Sequence, residues 1–303
     1  MFKQLLTFCG AILFFITSCA SPANDSDKKK IVCTIPQIGD LVQAIGGDRM
    51  ECHILVRGEL NPHSYELVKG DGDRIASADL VFYNGLGLEH GASVSSMIQS
   101  HPHAVALGDA IRQQHPDRVL TRGDTLDPHI WMDLSLWKEG IPTIVEALSS
   151  IDPEGAADFQ KRAHELNKKI EEADQKIWTL LHQVPESQRY LVTSHDAFQY
   201  FTRRYLAEEG EADWSKRFAA PEGLAPDGQL SIADLRAIVE HLEEHQISVI
   251  FPESNVSRDS IRKIADVSRV RICKEALFGD SIRGSYIDSM LKNGEILAKE
   301  LGE

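Results

Sequence analysis

Two histidines sit directly behind prolines, in "NPHSYE" at residues 61–66 and in "DPHIWMD" at residues 127–133. Proline fixes its own φ at roughly −65° and pushes the preceding residue out of the helical region. Each X-Pro-His tripeptide therefore reads as a turn that holds an imidazole in one direction, with an amide or acid in front of it. A third histidine, His195, lies in "TSHDAF" at 193–198, and an aspartate, Asp280, lies in "ALFGDSI". Three imidazoles and one carboxylate, His63, His129, His195 and Asp280, suffice to ligate a first-row divalent metal. Glu253, in "FPES", is ranked below Asp280, as a substitute ligand or as a partner behind one.

Such residues bind one ion only if the fold brings them together. From residue 31 onward, short apolar β-rich runs alternate with amphipathic stretches. "KIVCTI", "CHILV" and "DLVFYNG" read as buried strands, with "GDLVQAIGG" and "VKGDGDRIASA" as helices between them. A second series follows residue 188: "RYLVTS", "AFQYFTRRYL", "SIADLRAIVEHLEEH", "ISVIFPES", "SRDSIRKIADVS" and "VRIC". Alternation of this kind builds parallel sheets from βαβ units. The expected fold is α/β, with two Rossmann-like lobes over 31–151 and 185–303. Ligands of such sheets gather at the carboxyl ends of the strands, where His195 follows "RYLVTS" and Asp280 follows the last strand region.

Between the lobes, Phe159, Ala163, Leu166, Ile170, Ala173, Ile177 and Leu180 recur at alternating spacings of four and three. That pattern is one apolar stripe on a single long helix, assigned to 152–184. Asp152 suits the N-cap, Pro153 the first turn, and Pro185 the stop. About thirty residues of helix make a rod of roughly 50 Å. A coiled coil for dimerisation is the alternative, but a short apolar repeat between two α/β lobes favours an intramolecular strut in a monomer.

The net charge of −14 disfavours nucleic-acid binding. Residues 5–18 run without a charge, too short for a membrane span and right for a signal-peptide core over 1–18. "ITSC" resembles a lipoprotein processing box, making Cys19 the lipid anchor and 19–30 a polar tether. An ordinary cleaved signal is the alternative. Among five cysteines, Cys33 and Cys52 fall in neighbouring predicted strands and are close enough in sequence to pair. Burial as small hydrophobes is the commoner fate.

"HLEEH" at 241–245 fits the H-x-x-E-H spacing of inverted zinc peptidases, in which two histidines one turn apart bind zinc and a glutamate activates water. On its helix, Leu235, Ile238, Val239 and Leu242 form the buried arc, with His241 and His245 beside its edge and Glu244 pointing away. A solvated helix end is therefore the preferred reading over a peptidase. A surface adhesin is the third functional class to be separated.

The segments "NPHSYE", "ADLVFYNGLGLEH", "DPHIWMD", "RYLVTSHDAFQYFTRRY", "PEGLAPDGQLSI" and "LFGDSI" together resemble the TroA/ZnuA group of metal-binding proteins that serve ABC importers, within it the YtgA-like branch. The resemblance covers nearly the whole chain after the leader. It implies two lobes joined by one rigid helix, with a metal in the cleft held by His63, His129, His195 and Asp280. It further implies a non-enzymatic, extracytoplasmic lipoprotein that captures one zinc, manganese or iron ion and passes it to a membrane permease and its cytoplasmic ATPase. Manganese-preferring relatives commonly carry glutamate at the position of His195, so histidine leans towards zinc or iron. Zinc-scavenging relatives often carry a long histidine-rich loop between the first two ligands, and here that interval holds only scattered histidines.

Overall fold

The computed structural model describes residues 28–225 and 230–302. The leader, Cys19 and most of the tether lie outside the described residues. The first sheet takes its strands from β1 (Lys29–Cys33), β2 (Met50–Ile54), β3 (Leu80–Tyr83) and β4 (Ala104–Ala106), in the order β2-β1-β3-β4. All three pairings are parallel, with Ile31 opposite both Cys52 and Leu80. The helices α1 (Pro36–Gly46), α2 (Asp71–Ala76) and α3 (Ala92–Ser100) make the crossovers, and α4 (Leu107–Gln114) follows the last strand. Strand β1 begins at Lys29, two residues ahead of the expected lobe boundary.

A hairpin of β5 (Thr121–Arg122) and β6 (Thr125–Leu126) turns at Gly123, whose φ of +60° favours glycine. Then come α5 (Leu134–Trp137), α6 (Ile141–Ile151) and the long helix α7 (Ala156–Leu181). In the second half, β7 (Leu191–Val192) pairs in parallel with β8 (Phe218–Ala219), which follows the short helix α8 (Gln199–Phe201). After α9 (Ile232–Glu244), β9 (Val249–Ile250) pairs with β10 (Arg271–Ile272), which follows α10 (Asp259–Ser268). The bond from Phe251 N to Val192 O, 2.8 Å, joins these two-strand pieces into one parallel layer. The chain closes with α11 (Tyr286–Leu301).

The apolar face of α7 is covered by α1, α5 and α6 from the first half and by α11 from the second. It is an internal spine, as the strut reading expects. Two details differ. The last buried position is Leu181, not Leu180, which is half-buried. A true α-helix drifts about 20° per heptad from a strict 3.5-residue repeat, enough to move the stripe by one residue. Asp152 takes the N-cap position of the first turn, its carbonyl accepting the Gly155 N–H at 3.1 Å, but its side chain makes no capping bond. Its carboxylate instead takes Arg49, with Nη2–Oδ1 at 2.7 Å, and a 3₁₀ turn over Pro153–Gly155 precedes the helix. "AFQYFTRRYL" is likewise not one regular helix, because α8 passes into a π-helical turn over Thr202–Leu206.

Cys33, Cys52 and Cys273 are free thiols. The sulfurs of Cys33 and Cys52 lie 3.5 Å apart, and burial pushes the Cys33 thiol up. The two sit diagonally in the ladder, since Cys33 faces Ile54 and Cys52 faces Ile31.

Candidate metal centre

Both proline-histidine turns are built alike. The side-chain oxygen of Asn61 accepts the backbone N–H of His63 at 2.9 Å, and Asp127 Oδ1 accepts that of His129 at 3.0 Å. An Asn or Asp side chain that bonds the backbone two residues on is an Asx turn, which accounts for the amide or acid ahead of each proline. The copies then diverge. Asp127 Oδ1 also takes Nδ1 of His129 at 2.8 Å, turning Nε2 towards the other histidine. The Trp131 ring meets His129 edge-on at 5.3 Å between centroids.

His195 lies three residues beyond β7. Glu253 Oε1 accepts the N–H groups of Ser194 and His195 at 3.1 and 2.9 Å. Its Oε2 lies 2.7 Å from His195 Nδ1, an ion-pair contact approached off the hydrogen-bond axis. Gly279 makes room for this carboxylate, since a Cβ there would sit 2.7 Å from Glu253 Oε2. Asp280 belongs to the second half by sequence, yet residues of the first half hold its backbone. Gln37 of α1 donates to Asp280 O at 2.9 Å, and Trp131 Nε1 donates to Gly279 O at 2.9 Å.

His63, His129, His195 and Asp280 converge, each offering a ligand atom within 4.8 Å of the others. The Nε2 atoms of His63 and His129 are 3.2 Å apart, and Asp280 oxygens lie 3.6, 3.5 and 3.4 Å from Nε2 of His63, His129 and His195. Four ligands around a tetrahedral ion with bonds near 2.1 Å sit about 3.4 Å from one another, so the spacing fits such an ion. All four residues are at most 2% exposed.

Burial holds the His63 imidazole below its usual range, which keeps a lone pair available. For His195, burial opposes the charge, but Glu253 and Asp280 outweigh it and hold the imidazolium well above its usual range. For Asp280, burial likewise opposes the charge, and His195 more than offsets it, keeping the carboxyl well below the usual carboxylate range. Both oxygens of Asp280 and both ring nitrogens of His195 lack a hydrogen-bond partner. Buried polar atoms left in that condition are costly unless something else satisfies them.

Of the residues singled out in the sequence, Glu253 stands behind His195 rather than among the converging atoms. "HLEEH" forms no metal cluster among the described residues. His245 instead stacks on Tyr190 at 4.3 Å, and His241 packs edge-on against His245 at 4.7 Å. Glu244 is exposed. Sequence reasoning missed Asp127, Gln37 and Trp131 as supports. Only Asp127 left a signal, as the acid ahead of the second Pro-His.

Two α/β lobes on one helical spine, with a buried three-histidine, one-carboxylate cluster at the strand ends between them, are the architecture of a solute-binding protein. The family model for "Zinc-uptake complex component A periplasmic", ZnuA, matches residues 31–300, and the chain belongs to that family. It is 37% identical over 286 residues to the metal-binding protein YtgA of Chlamydia pneumoniae, across 92% of this chain and 88% of the relative. It is 30% identical over 259 residues to the manganese-binding lipoprotein MntA of Bacillus subtilis, across 84% of this chain and 81% of the relative. The crystal structure of Fe(III)-bound YtgA from Chlamydia trachomatis superposes with a TM-score of 0.88 at 37% identity, covering 91% of this chain and 98% of that one.

Proposed function

We propose that this protein is the extracytoplasmic receptor of an ABC metal importer. It takes up one transition-metal ion, zinc, manganese or iron, and hands it to a membrane permease driven by a cytoplasmic ATPase. The ligands are His63, His129, His195 and Asp280. The observation that carries the reading is the convergence of three imidazole nitrogens and one carboxylate, all buried, at the spacing a single ion requires. Names among the relatives supply the three candidate metals. The chain is organised as a signal peptide over 1–18, a lipid tether over 19–30 anchored at Cys19, lobes over 31–151 and 185–303, and the spine between them. It acts as a monomer.

The protein is not an enzyme in this reading. A catalytic metal keeps an open position for water, whereas four buried side chains fill a tetrahedral shell. The peptidase reading has lost its support, because His245 is stacked on Tyr190 and Glu244 faces solvent. An adhesin has no observation in its favour.

Metal analysis and titration calorimetry on the purified mature chain test the proposal. One ion per chain is expected. At about 1,000 times its dissociation constant, it adds roughly 4 kcal/mol to stability by mass action. His129→Ala is expected to abolish most of that gain while metal-free melting stays close to wild type. A full metal-dependent shift in His129→Ala places the site elsewhere.

A further inference from the structure

The four converging side chains are closed off from solvent, so no ion reaches or leaves them unless part of the wall moves. Two kinds of tie join the halves around them. One kind is buried at the base: Gln37 and Trp131 on the 279–280 backbone, and the Tyr286 N–H on Asp40 at 3.0 Å. The other kind is made at the rim by the hairpin of β5 and β6, whose residues 121–125 are exposed.

The hairpin belongs to the first half but is fastened to the second at two points. At its ends, the Tyr200 hydroxyl accepts the N–H of Leu120 at 2.9 Å and donates to the carbonyl of Asp127 at 3.0 Å. At its tip, Arg122 Nη1 reaches Asp196 Oδ2 at 2.5 Å. The Arg122 side chain is 54% exposed and that of Asp196 only 3%. Both fastenings touch the site's supports, because Asp127 orients His129 and Asp196 is the residue after His195. The exposed loop at 57–60, ahead of His63 in the chain, shows no bond to the second half among the described hydrogen bonds and ion pairs.

We propose that this hairpin is the gate through which the ion is exchanged, and that the Arg122–Asp196 pair is its latch. The inference rests on the metal-receptor reading of the same site. Arg122 touches no converging ligand atom, so it acts on the rate of exchange rather than on the strength of coordination. The latch spans the two halves beside the ligand atoms without touching any of them. Loosening it therefore lowers one barrier shared by entry and exit, and both rates rise together while affinity stays constant.

The test uses the full mature chain with zinc ion, measuring uptake by stopped flow and release by chase with excess chelator. In Arg122→Gln, both rates are expected to rise about tenfold, with the dissociation constant within about twofold of wild type. The figure is that of one hydrogen bond to a charged group. Because Arg122→Gln leaves the Asp196 carboxylate without its cation, Arg122→Gln/Asp196→Asn is measured alongside and is expected to show the same joint rise. Amide exchange gives a second readout: Leu120 N–H exchanges faster in the variants while amides of α7 do not change. Unchanged rates in protein that still binds zinc overturn the gate and leave the metal reading standing. Faster release with unchanged uptake also overturns it, making Arg122 only a stabiliser of the bound form. Wild-type chain that takes up none of zinc, manganese or iron overturns both readings.

Discussion

Asp127 is the most informative single position to perturb, because one of its oxygens does two tasks. Oδ1 accepts both the backbone N–H of His129 and its Nδ1–H, at 3.0 and 2.8 Å. The first contact sets the turn, and the second fixes the tautomer and aims Nε2 at His63 and Asp280. Asp127→Asn can keep both bonds through the amide oxygen, so the ring stays aimed and only the charge behind it is lost. A hydrogen bond to a charged group exceeds a neutral one by about 1–1.5 kcal/mol, so zinc affinity is expected to fall about tenfold. The new NH₂ would occupy the place of Oδ2, which is buried without a partner, and a small loss of metal-free stability accompanies the change.

Asp127→Ala removes both contacts and frees the ring. Losses from removing the partner behind a ligating histidine run to about 100-fold, and this variant is expected near that end. The assay is competition against a chromophoric chelator at one fixed pH, with metal-free melting as the control for folding. The order wild type, Asn, Ala, with roughly a tenfold step at each stage, is the expected result. If Asn and Ala both bind zinc within twofold of wild type, the carboxylate does not orient His129, and the ring is held by its packing on Trp131 instead.

Three further outcomes follow from the same geometry. His195→Glu exchanges a borderline ligand for a hard one, so the zinc-to-manganese affinity ratio, measured by competition at one pH, is expected to fall; an unchanged ratio removes His195 from the ligand set. Gly279→Ala places a Cβ 2.7 Å from Glu253 Oε2, and displacing that carboxylate from His195 is expected to weaken zinc about tenfold and to lower metal-free melting as well, because Glu253 also accepts the buried N–H groups of Ser194 and His195. Burial lowers the His241 pKa to about 4 from an ordinary 6.5, so the unfolded chain takes up this proton more readily than the folded one. That contribution to stability is complete above about pH 6.5 and is lost as pH falls towards 4. After allowance for solvent screening of a partly exposed ring it amounts to about 1 kcal/mol, and His241→Phe should flatten that part of the pH–melting curve.

The site was more legible in the sequence than the details of the elements that carry it. Proline restricts two residues at once, so each Asx-Pro-His declares its geometry locally, without help from the rest of the fold. His195 and Asp280 were readable for a different reason: residues just past the carboxyl ends of parallel strands share a rim whatever the loop lengths between them. The supports were harder to see. Gln37 on α1 and Trp131 hold the 279–280 backbone across separations of 242 and 148 residues. Contacts that distant leave no periodicity and no motif. Asp152 keeps the N-cap position of the turn that leads into α7, but a side-chain cap worth about 1 kcal/mol gives way to a two-bond ion pair with Arg49, 103 residues away.

The spine and the rim divide the mechanical work. Helix α7 is buried against α1, α5 and α6 on one side and α11 on the other, so a large hinge motion would have to strip apolar surface from both lobes. The base ties add to that resistance. Trp131 is joined to the second half twice, donating through Nε1 to Gly279 and accepting the Tyr286 hydroxyl at its carbonyl. Asp280 is thus fixed to the same framework as His129, though the two come from opposite halves of the chain. His195 is held differently, by the Glu253 carboxylate on its own strand layer, and no described hydrogen bond runs from its backbone to the first half. Opening at the rim would therefore draw His195 away from His63 and His129, along the line where Arg122 spans to Asp196. A receptor that must bind tightly and still release its cargo is served by this arrangement, in which the strongest contacts lie away from the moving edge.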